Sequence, residues 1–488
     1  MHRRPAAPAG SDSTRRIDAD AAGVTRRGAV GRLGYFTLAI GAVVGSGWVI
    51  VLGEWLRTAA PGGTITGFIL GGLAMMLIAI CYGELVARCP TFGGEFIYVL
   101  RTLGRLPAFL VGWFLTLYAV SICAFEAVVL TSLLAVLAPG FEGPTLYTVG
   151  DSAVHAGGLI VGLLGVLLIG ALHFVGVASA IRFQNFVTLG FLVALALLVA
   201  AGLWLGSVAH WHPLFRATAA HSIASGILWV FSTCAFFLNG WQTALHAIEE
   251  RQSGLSVRAA VMSMVGGIFV GVLAYCGIVL SASAAVPWQN LLSLDMPAVA
   301  AFAALVPGGV LGTVVVVIAL VSVLKTWNAI AWIGTRLVVA QAREGFVPRI
   351  LAQLHPRDGA PRPAVLLITG LSLAGPLLGR AAILPIVNMV AICLALSIVL
   401  CLLVLLRRRQ LALETPSFVV PGGTATIVVA LAAACLMIGV AVVEPLLRSE
   451  ASVPLEWKLI GLWAAFGLVT WLAVGRRAPP APSGSQPR

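Results

Sequence analysis

Lysine is almost missing from this chain: Lys325 and Lys458 stand against 28 arginines. Charge of either sign is scarce. Asp, Glu, Lys and Arg make up 10% of the 488 residues, apolar residues make up 60%, and mean hydropathy is +1.02. A soluble domain carries about a quarter of its residues as charges, so this balance excludes one and fits a polytopic helical membrane protein. The eight cysteines lie singly in or beside apolar runs, without a CxxC pair, which argues against a disulfide framework or a zinc site. The apolar runs also lack His, Asp and Glu clustered at ligand or acid–base spacing. An embedded enzyme, a resident metal and a cofactor are therefore not expected. No ring of polar residues or repeated filter loop suggests a channel. The net charge of +12 does not require a nucleic acid partner, because Lys and Arg collect on cytoplasmic loops of membrane proteins.

What is abundant is long apolar sequence. Spanning runs, each needing about 20 residues, lie near 33–56, 64–87, 95–137, 157–174, 179–205, 222–248, 257–285, 303–340, 363–379, 383–406, 424–446 and 456–475. The expected fold is all-α with twelve transmembrane helices, the overlong third and eighth runs being tilted or extended beyond the bilayer. Residues 1–32 are polar and read as a disordered cytoplasmic tail, with 476–488 as a second tail. With the N-terminus inside, Arg57, Arg216, Arg380, Arg448 and Lys458 fall outside. Lys325 and Arg336 lie within a span, and every other basic residue falls on an inner segment. That bias supports both the orientation and the even number of spans.

Two spans are interrupted at mid-membrane. The first reads LGYFTLAIGAVVGSGWVIVLGEWL, with Gly45-Ser46-Gly47 at its centre. Glycine weakens a helix interior by about 1 kcal/mol relative to alanine. Bare backbone in hydrocarbon is tolerated only where it is buried in protein or lines a cavity. A broken helix offers N–H groups at the positive end of its second half, a fit for a carboxylate. Gly45, Ser46, Gly47 and Trp48 are therefore candidate substrate residues, against the alternative that small residues serve close helix packing. The sixth span carries Asn239-Gly240, flanked by Phe236, Phe237 and Trp241. Five helices separate the two breaks, so the second copy would enter the membrane upside down, the pattern of an inverted-repeat transporter.

Four pieces of sequence, in order, carry a resemblance to the amino acid–polyamine–organocation transporters. They are IGAVVGSGW, GELVARCPTFGGEFIYV, FFLNGWQTALHAIEE and TRLVVAQAREGFVPRILAQLHPRDGAPRPA. The resemblance implies a five-plus-five inverted repeat with broken helices one and six, residues 33–205 and 222–406, plus two further helices over 424–475. It implies secondary transport of an amino acid or organic amine by alternating access, with exchange or polyamine transport as the alternative. By the same resemblance Gly45, Ser46 and Gly47 cradle the substrate carboxylate and Val43 and Val44 supply carbonyls. Phe236 is the aromatic gate, and Asn239 and Gly240 form the second break. Trp48 replaces a smaller apolar residue, and Gln242 stands where an acid is frequent. The expected partners are a small substrate and the lipid bilayer of the plasma membrane, with both termini cytoplasmic and the chain a monomer or homodimer.

A charge at mid-bilayer costs at least about 2.5–3.5 kcal/mol, so each one is a functional candidate. Glu126, in YAVSICAFEAVVL of the third span, falls on the face that lines the family's site, together with Ile122. It could pair with a substrate amine, carry a proton, or be hydrogen-bonded within the protein. Lys325 lies eleven residues before Arg336, about 16 Å deep at 1.5 Å per residue. Its stem reaches about 6 Å, too short to snorkel from there. In sodium-coupled relatives of the fold, spans one and eight build a cation site at this depth. Some sodium-independent members place a lysine near it from span five, where this chain has Gly190-Phe191. Lys325 is thus expected to replace a sodium ion. Glu54, Glu84 and Glu95, nearer helix ends, are expected in solvated or capping roles, as is the His246, Glu249 and Glu250 group.

Overall fold

The computed structural model describes residues 32–89, 93–150, 152–175, 177–217, 222–243, 256–356, 359–411, 416–448 and 453–475. The expected N-terminal tail (residues 1–31), the 476–488 tail and the His246, Glu249 and Glu250 group lie outside them.

The first apolar run does break where its glycines predict. Helix α1 (Arg32–Val43) ends, and α2 (Trp48–Arg88) starts after residues 44–47. α2 itself turns at Ala60, whose φ of 55° and ψ of 174° are non-helical. Pro61 follows, and proline both lacks a donor and pushes the preceding residue out of the α region. The overlong third run is not one tilted helix. It divides at Gly104, with φ 91°, into α3 (Gly94–Leu103) and α4 (Arg105–Leu137). Glycine takes that left-handed φ without a Cβ clash, and Pro107 then sits in the first turn of α4, where its missing N–H costs nothing.

Between α4 and the next helix the chain departs from all-α. An antiparallel hairpin, β1 (Thr145–Val149) and β2 (Ser152–His155), is pinned by the Tyr147 hydroxyl, which donates to the Leu377 carbonyl at 2.7 Å. There follow α5 (Ala156–Val175), α6 (Val177–Leu205), α7 (Ile223–Phe237), α8 (Val257–Ala285), the short α9 (Pro297–Ala303) and α10 (Val310–Arg343). The chain closes with α11 (Arg362–Ser372), α12 (Ala374–Leu378), α13 (Ile383–Leu411), α14 (Gly423–Arg448) and α15 (Leu455–Thr470). Among the described residues nine helical stretches are long and apolar enough to cross a membrane, with Ile223–Phe237 as a shorter apolar helix. Leu168 and Leu197 are each 67% exposed on outward faces of α5 and α6, the kind of apolar surface that lipid covers.

Small residues set the tightest helix crossings. On α2, Gly67 and Gly71 lie against Val230 and Cys234 of α7. On α8, Gly267 and Gly271 lie against Ala39 and Val43 of α1. Both are small-xxx-small pairs that let backbones approach. The C-terminal α15 is held to α4 by two indoles. Trp113 Nε1 donates to the Trp463 carbonyl at 2.9 Å, and Trp463 Nε1 donates to the Trp113 carbonyl at 3.0 Å.

Glu84 and Glu95 are buried, 0% and 4% exposed, which removes the solvated half of the expectation; Glu95 stands in the first turn of α3, a capping position. Glu84 accepts from Arg88 Nε at 2.9 Å, from Arg409 Nε at 2.8 Å and from the Val420 N–H at 2.8 Å. One carboxylate therefore ties the end of α2 to the end of α13 and to the loop before α14. Glu54 keeps its surface role, paired with Arg57 at 2.9 Å. Removing one partner of a buried ion pair strands the other charge, at about 3–5 kcal/mol. Glu84→Ala should therefore lower the melting temperature of detergent-purified protein by several degrees. An unchanged melting temperature would show that the cluster does not hold these elements together.

Candidate functional site

The two broken helices meet. Gly240, at φ +92°, packs against Ala42 so closely that a Cβ there would strike it at 2.5 Å. Neighbours satisfy part of each break, as buried backbone groups require. At the first, the Tyr275 hydroxyl of α8 lies 3.3 Å from both the Gly45 N–H, which donates to it, and the Val43 carbonyl, to which it donates. Ser322 of α10 donates to the Val44 carbonyl at 3.2 Å. Lys325 is fully buried, and its ammonium donates to the Gly41 carbonyl at 2.7 Å and to the Val44 carbonyl. The Phe191 ring of α6 lies 4.4 Å from the same ammonium, within the range of a cation–π contact.

Glu126 is 2% exposed, and its Oε2 accepts from the Ser46 hydroxyl at 2.7 Å. A Cβ on Gly45 would meet Thr326 and Glu126 at 3.9–4.0 Å, ordinary van der Waals distance, so these two side chains border the break. The Thr326 hydroxyl on its far side is buried and has no partner among the described residues. Beside Gly47 the space is closed: a Cβ would stand 3.1 Å from Phe237 and 3.2 Å from Phe125. No described residue accepts from the N–H groups of Ser46 and Gly47.

The second break is closed by neutral groups. Asn239 accepts from the Tyr118 hydroxyl at 2.7 Å and donates to the Phe236 carbonyl. Gly240 N–H donates to Gln242 Oε1 at 2.9 Å. Phe236 is buried with its ring 5.3 Å from Phe125 and 4.9 Å from Phe237. Ile122, one turn before Glu126 on α4, is 3% exposed. Trp48 is wholly buried, its indole N–H unpartnered among the described residues.

The structure thus brings Gly45, Ser46, Glu126, Lys325 and Val44 together, with Phe236 one aromatic contact away. The carbonyls of Val43 and Val44 are already engaged by Tyr275, Ser322 and Lys325. Tyr118, Tyr275, Ser322 and Thr326 were not among the expected site residues. Of these, only the hydroxyls Ser322 and Thr326 could have been picked from sequence, as polar neighbours of Lys325.

A cavity of about 740 Å³ leads toward this place from the hairpin side. Glu54, Arg57, His155, Asp295 and Arg380 line it, and it reaches Val51 and Val128, one turn beyond Gly47 and half a turn beyond Glu126. Arg380 pairs with Asp295 across it at 3.3 Å.

A family profile described as amino acid permease matches residues 30–469. The chain belongs to the amino acid permease family. The permease is 29% identical over 339 residues to the chloroplastic cationic amino acid transporter 9 of Arabidopsis thaliana, a match that covers 67% of this chain and 58% of that transporter. It is 26% identical to the methylthioribose transporter of Bacillus subtilis, over 66% of this chain and 69% of the relative. It is 27% identical to human Asc-type amino acid transporter 1, over 79% and 73%. These proteins are transporters, not enzymes. The permease's break is sterically graded, which gives a test. Gly45→Ala should fold normally, because its Cβ meets nothing closer than 3.9 Å. Gly47→Leu should fold but lose binding, since overpacking beside Phe125 and Phe237 deforms the break. Ligand-induced thermal shifts read both, and wild-type affinity in Gly47→Leu would remove the break from the binding site.

Proposed function

We propose that this permease is a secondary active transporter of an amino acid, working by alternating access, independent of sodium and driven by protons. The observation that carries the reading is the Lys325 ammonium on the Gly41 and Val44 carbonyls. A helix C-terminus carries partial negative charge, and α1 ends at mid-membrane. A cation there neutralises it, and a fixed ammonium does so without a dissolved ion. Phe191 supports the reading, since the span-five position that is lysine in some sodium-independent relatives here offers an aromatic face to that ammonium.

The substrate pose rests on the groups that the protein leaves unpaired. The Ser46 and Gly47 N–H groups receive the substrate carboxylate. The substrate amine lies beside Gly45, between Glu126 and the Thr326 hydroxyl. Phe236 and Phe125 close over it. Substrate arrives through the charged cavity, which we place on the outer face by the arginine distribution. The relatives' names support an amino acid as cargo, and a site carboxylate favours a substrate with a free amine.

The architecture we propose has twelve crossings. Dividing 48–88 at Ala60 and 362–411 near Gly379, and counting the sixth apolar run, which holds Ile223–Phe237, as one crossing, yields that number from the nine long stretches. The glycine pairs support the inverted repeat. The α2–α7 and α8–α1 crossings exchange with each other when every span is advanced by five. Both termini are then cytoplasmic, in the plasma membrane.

Transport assays on two residues test the reading. Uptake into proteoliposomes with sodium replaced by choline should be undiminished in the wild type and lost in Lys325→Ala and Lys325→Arg. A guanidinium is larger, planar and always charged, so it cannot replace a titratable point charge. Strict sodium dependence, or full activity of Lys325→Ala, would refute the role. Glu126→Gln should weaken substrate binding about ten- to a hundredfold, the size of a charge-assisted hydrogen bond of about 1.5–3 kcal/mol. If binding persists and only proton-driven accumulation fails, Glu126 carries the proton instead.

A further inference from the structure

Besides the Thr326 hydroxyl of the candidate site, three polar atoms near Lys325 have no partner among the described residues: Gln184 Nε2, Thr188 Oγ1 and Asn328 Oδ1. Their side chains are 1%, 0% and 4% exposed. Leaving a buried polar group unpaired costs about 1–3 kcal/mol, and native proteins satisfy nearly all such groups with protein or ordered water. Three orphans in one place are a ligand signal rather than three separate defects.

Their placement is specific. Gln184 Nε2 and Thr188 Oγ1 both crowd the Cα of Gly41, each 2.6 Å from where a Cβ would stand. Gly41 is the residue whose carbonyl accepts from Lys325. Asn328 Nδ2 lies 3.5 Å from Gln184 Oε1. On α6, Gln184 and Thr188 precede Phe191, which faces the ammonium. On α10, which runs the opposite way, Asn328 follows Lys325. Both helices therefore put the orphans on the same side of the ammonium, toward the basic ends of α1, α6 and α10. Farther along that side, Thr37 of α1 is hydrogen-bonded to Asn185 of α6. The set contains both a donor and an acceptor, which suits water and not a bare cation or anion.

We propose that Gln184, Thr188 and Asn328 hold ordered water against Lys325, and that this water exchanges the ammonium's proton with the cytoplasmic side. The inference rests on the coupling role given to Lys325 above. In the step, one Nζ–H bond breaks, its electron pair stays on nitrogen, and the proton passes to a water oxygen. The neutral amine then holds the Gly41 and Val44 carbonyls less strongly, so the first break is free to move when the proton has left inward. Glu126 of α4 is the charged group that acts on the ammonium directly. Tyr275 of α8 faces the same break. His173 of α5 lies beside the Asn328 backbone with its buried Nε2 unpartnered among the described residues, and Arg336 on α10 acts on His173. The orphans themselves are uncharged, so they relay a proton without competing for it.

The test is the near-isosteric double variant Gln184→Met, Thr188→Val in proteoliposomes. Accumulation driven by a pH gradient should fall by about tenfold or more, while exchange of internal for external substrate, which needs no net proton movement, stays within about twofold. Wild-type accumulation in the double variant overturns the route, as does an equal loss of exchange, which means a structural role. A high-resolution density map of the wild type is the second arm. Water within hydrogen-bonding distance of Gln184 and Thr188 is expected, and a dry site overturns the proposal by itself. Accumulation in the wild type that ignores a pH gradient overturns the Lys325 coupling and this route together. A responsive wild type with an unaffected double variant overturns this route alone.

Discussion

The contact on which the rest of the site depends is the ammonium of Lys325 on the carbonyls of Gly41 and Val44. A helix that stops inside a membrane leaves its last carbonyls without partners, and hydrocarbon supplies none. Here two helices supply them: Tyr275 comes from α8, and Ser322 and Lys325 come from α10. Once those carbonyls are engaged, the groups of the break without a partner among the described residues are the Gly45 carbonyl and the N–H donors of Ser46 and Gly47. The protein therefore caps the end of the first half-helix with side chains and leaves two donors of the break free among the described residues. Glu126 borders those donors through the Ser46 hydroxyl, so in the proposed pose the carboxylate and amine positions are neighbours.

The second break is built differently. Asn239, Gln242 and Tyr118 close it with neutral hydrogen bonds, and no charged side chain touches it among the described residues. Neutral caps do not respond to protonation or to ions, whereas an ammonium does. The two breaks touch at Gly240 and Ala42, where the glycine's left-handed φ and missing Cβ permit the approach. In the mechanism proposed above, a movement of the first break would pass to the second through this contact.

Much of this is legible in the sequence because it rests on local signals. Gly45-Ser46-Gly47 and Asn239-Gly240 weaken a helix by their own backbone preferences, and a lysine eleven residues inside a spanning run is too deep to snorkel to bulk water. The remainder is not local. Tyr275 lies 230 residues from Gly45, and Gln184 lies 144 from Asn328, so no window of sequence joins them. Glu84 departs from its local signal because nearness to a helix end suggests solvent, whereas Arg409, far along the chain, covers it. The third run reads as one helix when apolar run length outweighs Gly104 and Pro107, two breakers close together that mark the turn.

The scarcity of lysine now has a physical reading. At Glu84 the protein needs a carboxylate gripped from several directions, and the planar, multi-donor guanidiniums of Arg88 and Arg409 do that well. At mid-membrane the requirement is opposite. Gly41 and Val44 present two carbonyls converging on one point, with the face of Phe191 behind it. A compact ammonium with three donors fits that space and can give up a proton, and a guanidinium fits neither demand. The chain uses arginine where charge must be permanent and forked. It places its single buried lysine, among the described residues, where the charge must be compact and, in the proposed mechanism, able to change. The same logic separates Lys325 from Lys458, which lies in the first turn of a mostly exposed helix and carries no such constraint.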